Sequence, residues 1–158
     1  MTDAFRPPAF DPSDLPLRIG SSYPDQFKAP VAGRQWRALG AHAGLGQFGV
    51  NLVELPPGCW SSQRHWHSRE DELVYILEGE LVLVTDEGEQ HLTAGLAAGF
   101  PAGKADGHHL INRSKHVARF LAIGSRIMGD ECNYPDINLH VTAGSEGDLW
   151  TDKKGNPI

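Results

Sequence analysis

His65, His67 and Glu72 are the residues of this sequence whose types and spacing best suit chemistry. Side chains two residues apart on an extended strand point to the same face, so both imidazoles can meet at one point while Trp66 faces away. Glu72 can bring a carboxylate to that point from the next strand, and His108 can supply a third imidazole. Imidazoles with a carboxylate favour a divalent transition metal, so the pattern predicts one metal ion here.

Other residues compete for parts of this ligand set. Glu70 and Asp71 are alternatives to Glu72, and Cys59 offers a thiol near the predicted site. Paired histidines also occur by chance on solvated strand ends, so the metal interpretation depends on the second stretch, which has its own Pro-x-Gly turn and histidine. The ligand types suit Mn²⁺, Fe²⁺, Ni²⁺, Co²⁺ or Zn²⁺ without choosing among them, because availability and geometry decide.

The stretch around the two histidines resembles the first motif of the cupin superfamily. That motif consists of a glycine, a His-x-His pair, a glutamate and a closing glycine. In this sequence its members are Gly58, His65, His67, Glu72 and Gly79, with one extra residue in the first gap. The resemblance implies that the two histidines and the glutamate are metal ligands.

A later stretch resembles the second cupin motif, which has a glycine, a Pro-x-Gly turn, a histidine and an asparagine. Its members here are Gly95, Pro101, Gly103, His108 and Asn112. The gap that precedes the histidine, residues 104–107, is longer than usual in the family, so the neighbouring His109 is the alternative ligand. The two motifs together are specific, whereas either alone would be weak.

The resemblance implies an all-β fold, the double-stranded β-helix or jelly-roll barrel of the cupins. Small single-domain cupins of this kind are often named sugar-phosphate isomerases, which implies a metal-dependent isomerase acting on a small polar substrate. The alternatives are an Fe²⁺-dependent dioxygenase and a non-enzymatic module that binds or senses a small molecule. The general base is not identified. Lys104 is a candidate in the loop beside His108, although an exposed loop lysine is the commoner finding.

Short strands must position these residues. Glycine or proline interrupts the apolar segments at short intervals, which is typical of an antiparallel sandwich or barrel. Residues 72–77 and 80–85 are predicted to form a hairpin that turns at the glycine between them. If Glu72 reaches the metal, Val74 and Ile76 line the interior.

The other face of that first strand is also apolar. Its residues are Leu73, Tyr75 and Leu77. An antiparallel strand with one solvent-exposed face should alternate between apolar and polar residues, so these three side chains are expected to pack against another part of the protein. We expect either the N-terminal arm or the second subunit of a homodimer to provide it.

Composition divides the chain into a proline-rich arm at residues 1–31, a barrel at 32–143 and a polar tail at 144–158. A net charge of -6 without any basic tract argues against nucleic acid as a partner and leaves a small molecule. The chain starts without the layout of a signal peptide, and no apolar run approaches membrane-spanning length. We therefore expect a cytoplasmic protein with no membrane partner.

Overall fold

The computed structural model describes residues 6–158, and within that range the chain is built almost entirely of strands. The strands are β1 Arg18–Ile19, β2 Gln35–Ala38, β3 Phe48–Leu55, β4 Trp66–His67, β5 Glu72–Glu78, β6 Glu80–Thr85, β7 Gly88–Thr93, β8 Ala97–Phe100, β9 His109–Ile111, β10 Ala118–Ser125, β11 Glu131–Asn133, β12 His140–Gly144 and β13 Gly147–Thr151. One α-helical turn, α1 Leu39–His42, and short 3-10 turns at Pro12–Asp14, Asp25–Phe27 and Ala29–Val31 complete the chain. The all-β prediction is confirmed. In the described part of the chain, every helix is too short to cross a bilayer.

The strands form three antiparallel sheets. The largest has the order β1-β2-β3-β10-β5-β8, and the others have the orders β7-β6-β9 and β13-β12-β11-β4. The main apolar core lies between the six-stranded and three-stranded sheets, because it joins Val53, Ile76 and Phe120 of the first to Leu81 and Leu110 of the second. Consecutive strands pair in places, but the pairs β3–β10, β5–β10, β5–β8, β6–β9 and β4–β11 join strands far apart in sequence, as a jelly roll requires.

The faces of β5 are those that the sequence predicts. Val74 and Ile76 are buried at 9% and 0% exposure, whereas Leu73, Tyr75 and Leu77 are 42–44% exposed. The described part of the arm therefore leaves the outer face of β5 open to solvent.

The predicted hairpin between β5 and β6 is wrong. β5 pairs with β10 and β8, and β6 pairs with β7 and β9, so the two strands belong to different sheets. Gly79 is the crossing point between them. Its φ is +76°, and an added Cβ would lie only 3.0 Å from Cα of Ala118, so both the turn and the close approach require glycine. Alternation and a central glycine could not reveal the change of sheet, because each strand finds its partners elsewhere in the chain.

The arm and the C-terminal segment pack together at one end of the barrel. Tyr23 and Val31 of the arm join Leu139 and Val141 in a second apolar cluster. Strand β13 pairs with β12 in the segment predicted as a polar tail, and its Trp150 lies 5.6 Å from the Tyr23 ring. Backbone pairing and this aromatic contact thus impose a strand where the composition predicts none. The first five residues of the predicted arm lie outside the described range.

Candidate metal centre

Three separate segments bring the predicted ligands together. His65 lies just before β4 and is bridged to His108, with N–H to O distances of 3.2 and 2.9 Å between their backbones. His67 ends β4, and Glu72 begins β5 opposite Gly124 of β10. Because these positions alternate along extended backbone, the side chains all enter the same end of the barrel.

The four side chains converge on one carboxylate oxygen. Oε2 of Glu72 lies 2.7 Å from Nε2 of His108, 3.4 Å from Nε2 of His65 and 3.5 Å from Nε2 of His67. We call these four residues the histidine–glutamate cluster. The alternative Asp71 points elsewhere, since its Oδ1 accepts a hydrogen bond from the amide of Ala102 at 2.8 Å. Glu70 lies beside His67 and Asp130 but does not bridge the three rings.

Contacts behind the rings hold two of the histidines in position. Nδ1 of His67 lies 2.6 Å from Oδ2 of Asp130, and Nδ1 of His65 lies 2.8 Å from the carbonyl oxygen of Gln63. Both partners are acceptors, so the Nδ1 atoms carry the protons and the Nε2 atoms face Glu72. The third ring, His108, is stacked on Phe100 with 3.6 Å between centroids.

The N-terminal arm takes part in holding His65. The amide of Gln63 donates to the hydroxyl of Tyr23 at 3.2 Å, and its side-chain nitrogen donates to the carbonyl of Phe27 at 2.8 Å. Gln63 is therefore fixed by the arm at the same time as its carbonyl orients His65. Sequence reasoning missed this role, because Gln63 stands outside the motif positions and its partners are distant in the chain.

Asp130 is the second residue that sequence reasoning missed. It is only 3% exposed, and besides His67 it accepts hydrogen bonds from the amides of Arg69 and Glu70 at 2.7 and 3.1 Å. It stands 63 positions after His67, in a segment without apolar periodicity, so no local signal marks it. Its carboxylate stabilises both the ring of His67 and the turn that leads into β5.

The charges of the cluster are coupled. Burial raises the pKa of Glu72, but hydrogen bonds from His108 and His65 outweigh it and hold that pKa well below its usual value. Burial lowers the pKa of His67, but Glu72 and Asp130 outweigh it and raise that pKa to about 9. Burial dominates at His108 and lowers its pKa. The cluster thus concentrates negative charge on Glu72 and gathers nitrogen donors around it.

This donor set fits a divalent cation. Because the Nδ1 atoms of His65 and His67 donate their protons to acceptors, the Nε2 atom of each ring has two states. It carries a proton when the ring is charged and a lone pair when the ring is neutral. Lone pairs gathered around a carboxylate oxygen repel it and one another, and a cation shared among them removes that repulsion. The donor atoms of His65, Glu72 and His108 all lie within 4.8 Å of one another, close enough to share one ion.

Replacing Asp130 by asparagine should weaken metal binding about 10–100-fold, the usual cost of losing a partner behind a ligating histidine. Asparagine keeps one oxygen for the amides of Arg69 and Glu70, but its NH₂ group cannot accept the Nδ1 proton of His67. Competition with a chelating dye would measure the affinity. Asp152→Asn, which changes a half-buried aspartate that contacts Lys154 and Asn156 in the C-terminal turn, is the control. Equal affinities in the two variants would refute this role of Asp130.

Other sequence candidates lie away from the cluster. His109, the alternative ligand, faces away: its Nδ1 lies 3.0 Å from the carbonyl of Ser62, and its ring packs against Trp60. Cys59, the alternative thiol, is buried in the main core. Cys132 is the cysteine near the site, with its sulfur within 4.8 Å of donor nitrogens of His65 and His67. Lys104 is exposed, and its nearest carboxylate is Asp106 at 3.9 Å.

The cluster opens into a cavity of about 810 Å³. On the inner face of the large sheet, small residues surround Glu72: Gly124 is directly opposite it in β10, and Gly49 is opposite Gly124 in β3. Ala122 follows on the same face. The guanidinium of Arg126 lies over Gly49, so the missing side chain at that position makes room for this arginine. The volume of the cavity suits a small-molecule ligand. Lys104 lines a second cavity of about 320 Å³ on the other side of Glu72.

Comparison with known proteins agrees with this geometry. The family model described as Cupin domain matches residues 51–124, which contain all four residues of the cluster. Among curated proteins, none matches the chain. The crystal structure of a cupin-superfamily protein from Silicibacter pomeroyi, named a sugar phosphate isomerase, is 43% identical, with 96% of each chain covered and a TM-score of 0.92.

Two more distant structures have the same fold. One, from Acidithiobacillus ferrooxidans, is provisionally named a sugar phosphate isomerase and is 28% identical, with 80% of this chain and 81% of that chain covered and a TM-score of 0.73. The other, a polyketide cyclase from Streptomyces resistomycificus, is 24% identical, with 74% and 78% covered and a TM-score of 0.61. The convergence of both motifs in one barrel and the high identity to the Silicibacter pomeroyi protein lead to one conclusion: the chain belongs to the cupin superfamily.

Proposed function

We propose that this protein is a divalent-metal-dependent isomerase that acts on a phosphorylated sugar. The observation that carries the proposal is the convergence of three histidine nitrogens on Glu72 at the wall of a cavity large enough for such a substrate. The isomerase name of the Silicibacter pomeroyi protein, which is 43% identical over nearly its whole length, supports the choice of reaction. The fold alone would not, because cupins host many chemistries.

His65, His67, His108 and Glu72 would hold the metal. When bound, a divalent cation supplies Lewis acidity, which polarises a carbonyl and stabilises negative charge that develops on its oxygen. The protein contributes the orientation of the ligands through Asp130 and Gln63, and the small residue Gly124 lies directly opposite Glu72 in β10.

Aldose–ketose isomerisation also needs a group that moves a proton between neighbouring carbons. Glu70 is the residue we assign to this step. It lines the cavity and lies within 4.8 Å of the donor atoms of His67 and Asp130, and its Oε1 accepts the amide of Ile127 at 2.7 Å. The other carboxylate oxygen is available to face substrate. Lys104 stands as the alternative, on the wall of the second cavity.

Proton exchange tests the proposed reaction. Metal-loaded protein is incubated in deuterated water with a panel of aldose and ketose phosphates from trioses to hexoses, and NMR follows deuterium at the carbon beside the carbonyl. We expect exchange and interconversion with at least one member. Glu70→Gln should lose at least about 100-fold in rate, within the usual range for a general base, while retaining the metal. Lys104→Gln is the matched comparison.

Two results would contradict the proposed reaction, and a third would contradict only the role assigned to Glu70. Oxygen consumption that depends on Fe²⁺, with no proton exchange, would favour the dioxygenase. Stabilisation by a ligand without any turnover would favour a binding module. Exchange that survives in Glu70→Gln but is lost in Lys104→Gln would keep the isomerase and move the proton transfer to Lys104.

A further inference from the structure

Three arginines line the same cavity as the histidine–glutamate cluster: Arg18, Arg34 and Arg126. Within residues 6–158, none of the three forms an ion pair. Four other arginines, by contrast, each contact a carboxylate: Arg37, Arg64, Arg113 and Arg119. In a chain whose net charge is -6, cations without carboxylate partners in one cavity point to an anionic ligand from outside the chain.

Arg18 and Arg34 are held against one aromatic ring. The guanidinium carbon of Arg18 lies 4.8 Å from the centroid of the Trp36 ring, and that of Arg34 lies 5.5 Å from it. Arg18 is directly opposite Trp36 in the β1–β2 pair, and Arg34 precedes Trp36 by two residues, so the three side chains share a face. Stacking uses the flat face of a guanidinium and leaves its N–H edge free to donate.

Arg34 is the member for which an anion matters most. Its Nε is buried and has no hydrogen-bond partner among the described residues. Arg37, three residues later in β2, also has a buried Nε without a partner among the described residues, but its Nη1 contacts Glu54 at 2.7 Å. Burial lowers the pKa of Arg34, which reflects the cost of keeping a cation away from water without a carboxylate beside it. An external anion would offset that cost.

Hydroxyl donors lie in the same part of the cavity wall. Ser21 and Ser22 follow β1 and line the cavity. Oγ of Ser21 accepts the amide of Tyr23 at 3.4 Å, so its own O–H remains free to donate. Guanidinium edges together with hydroxyls are the donors that proteins use for phosphate oxygens.

We propose that Arg18 and Arg34, assisted by Ser21, bind the phosphate group of a substrate whose reacting carbons lie at the histidine–glutamate cluster. This inference rests on the proposed function and adds the residues that recognise the phosphate. Arg126 takes no part, because its guanidinium lies over Gly49 of β3, 3.5 Å from where a Cβ of that residue would be, whereas the arginines described against Trp36 are Arg18 and Arg34.

Binding of inorganic phosphate tests the inference without turnover. Titration calorimetry of the protein as purified gives the affinity for inorganic phosphate at constant ionic strength, and the arginine variants are compared with it at equal metal content. Arg34→Gln and the exposed Arg18→Gln should each weaken binding about 10–100-fold, the value of a charge-assisted hydrogen bond. Arg113→Gln, whose arginine pairs with Glu89 on a distant strand, and Arg126→Gln should bind as the unmodified protein does.

The outcomes separate this inference from the proposed function. Phosphate binding that depends on Arg18 and Arg34 supports the subsite even where no sugar phosphate is isomerised. Isomerisation by a protein whose phosphate affinity is unchanged in Arg18→Gln overturns the subsite alone. Loss of phosphate binding in Arg126→Gln but not in Arg18→Gln would show that the anion binds at Arg126, and it would also overturn the proposed subsite. If Arg34→Gln folds poorly, the phosphate affinity of Arg18→Gln, which changes an exposed residue, tests the subsite by itself.

Discussion

His67→Ala is expected to lose its metal: protein purified without chelator should contain near-stoichiometric divalent metal, and the variant should contain almost none. The side chain provides a donor to the cluster and is also the residue that Asp130 orients. Losing a ligand should cost more than the 10–100-fold that losing a ligand's partner costs, so we expect the affinity to fall more than about 100-fold. Elemental analysis of the purified proteins gives the answer, and the element found ranks isomerase against dioxygenase.

A matched histidine makes this result interpretable. His91 lies on β7, is well exposed and contacts Glu80 at 3.4 Å, so His91→Ala removes an imidazole that is paired with a carboxylate outside the cluster. It should retain full metal content. A protein that takes up none of Mn²⁺, Fe²⁺, Ni²⁺ or Zn²⁺ on reconstitution would refute the metal site and leave a metal-free binding module as the better interpretation.

We propose that the protein is a homodimer through the outer face of the six-stranded sheet, and Tyr75→Glu is expected to convert it to a monomer. Tyr75 is opposite Leu121 of β10, which is opposite Leu52 of β3, so apolar side chains run across three strands. The substitution would place one negative charge on each subunit in the middle of this face. Truncation of an aromatic residue that is a hot spot at the centre of an interface costs about 2 kcal/mol or more of binding free energy, roughly thirtyfold in affinity. Sedimentation at micromolar concentration would measure the change.

The comparison residue for the dimer is Leu149, which is 58% exposed on β13 in a different sheet. Leu149→Glu adds the same charge to an apolar position outside the proposed interface, so it should leave the dimer intact. An unmodified protein that sediments only as a monomer would rule the dimer out, and dissociation by Leu149→Glu alone would place the interface elsewhere.

The sequence predicted the residues of the cluster through a local signal for the two histidines and through the resemblance to two cupin motifs for Glu72 and His108. His65 and His67 share a face through the two-residue period of a strand, and the same period counted from Glu72 correctly placed Val74 inside and Tyr75 outside. The resemblance to the first cupin motif, through its spacing to Gly79, favoured Glu72 over Glu70, and the structure brings the carboxylate of Glu72 to all three rings.

What the sequence could not predict depends on contacts between distant segments. Asp130 orients His67 across 63 positions, and Cys132 rather than Cys59 lies near the site because β11 pairs with β4. The expected hairpin between β5 and β6 failed for the same reason, since each strand satisfies its backbone groups in a different sheet. Strand pairing is decided by the closed barrel, and no single segment encodes it.

The hydrogen bonds that connect the arm to His65 through Gln63 affect the stage of folding at which the histidine–glutamate cluster forms. Gln63 joins Tyr23, forty positions earlier, to the ring of His65. A barrel whose pairs are distant in sequence closes slowly, because chain entropy is lost before the contacts that repay it form. We therefore expect His65 to acquire its final orientation only after the arm has docked. A metal ion held by the cluster would then bind the folded state better than any state in which the arm is undocked, and its free energy of binding would stabilise the folded state.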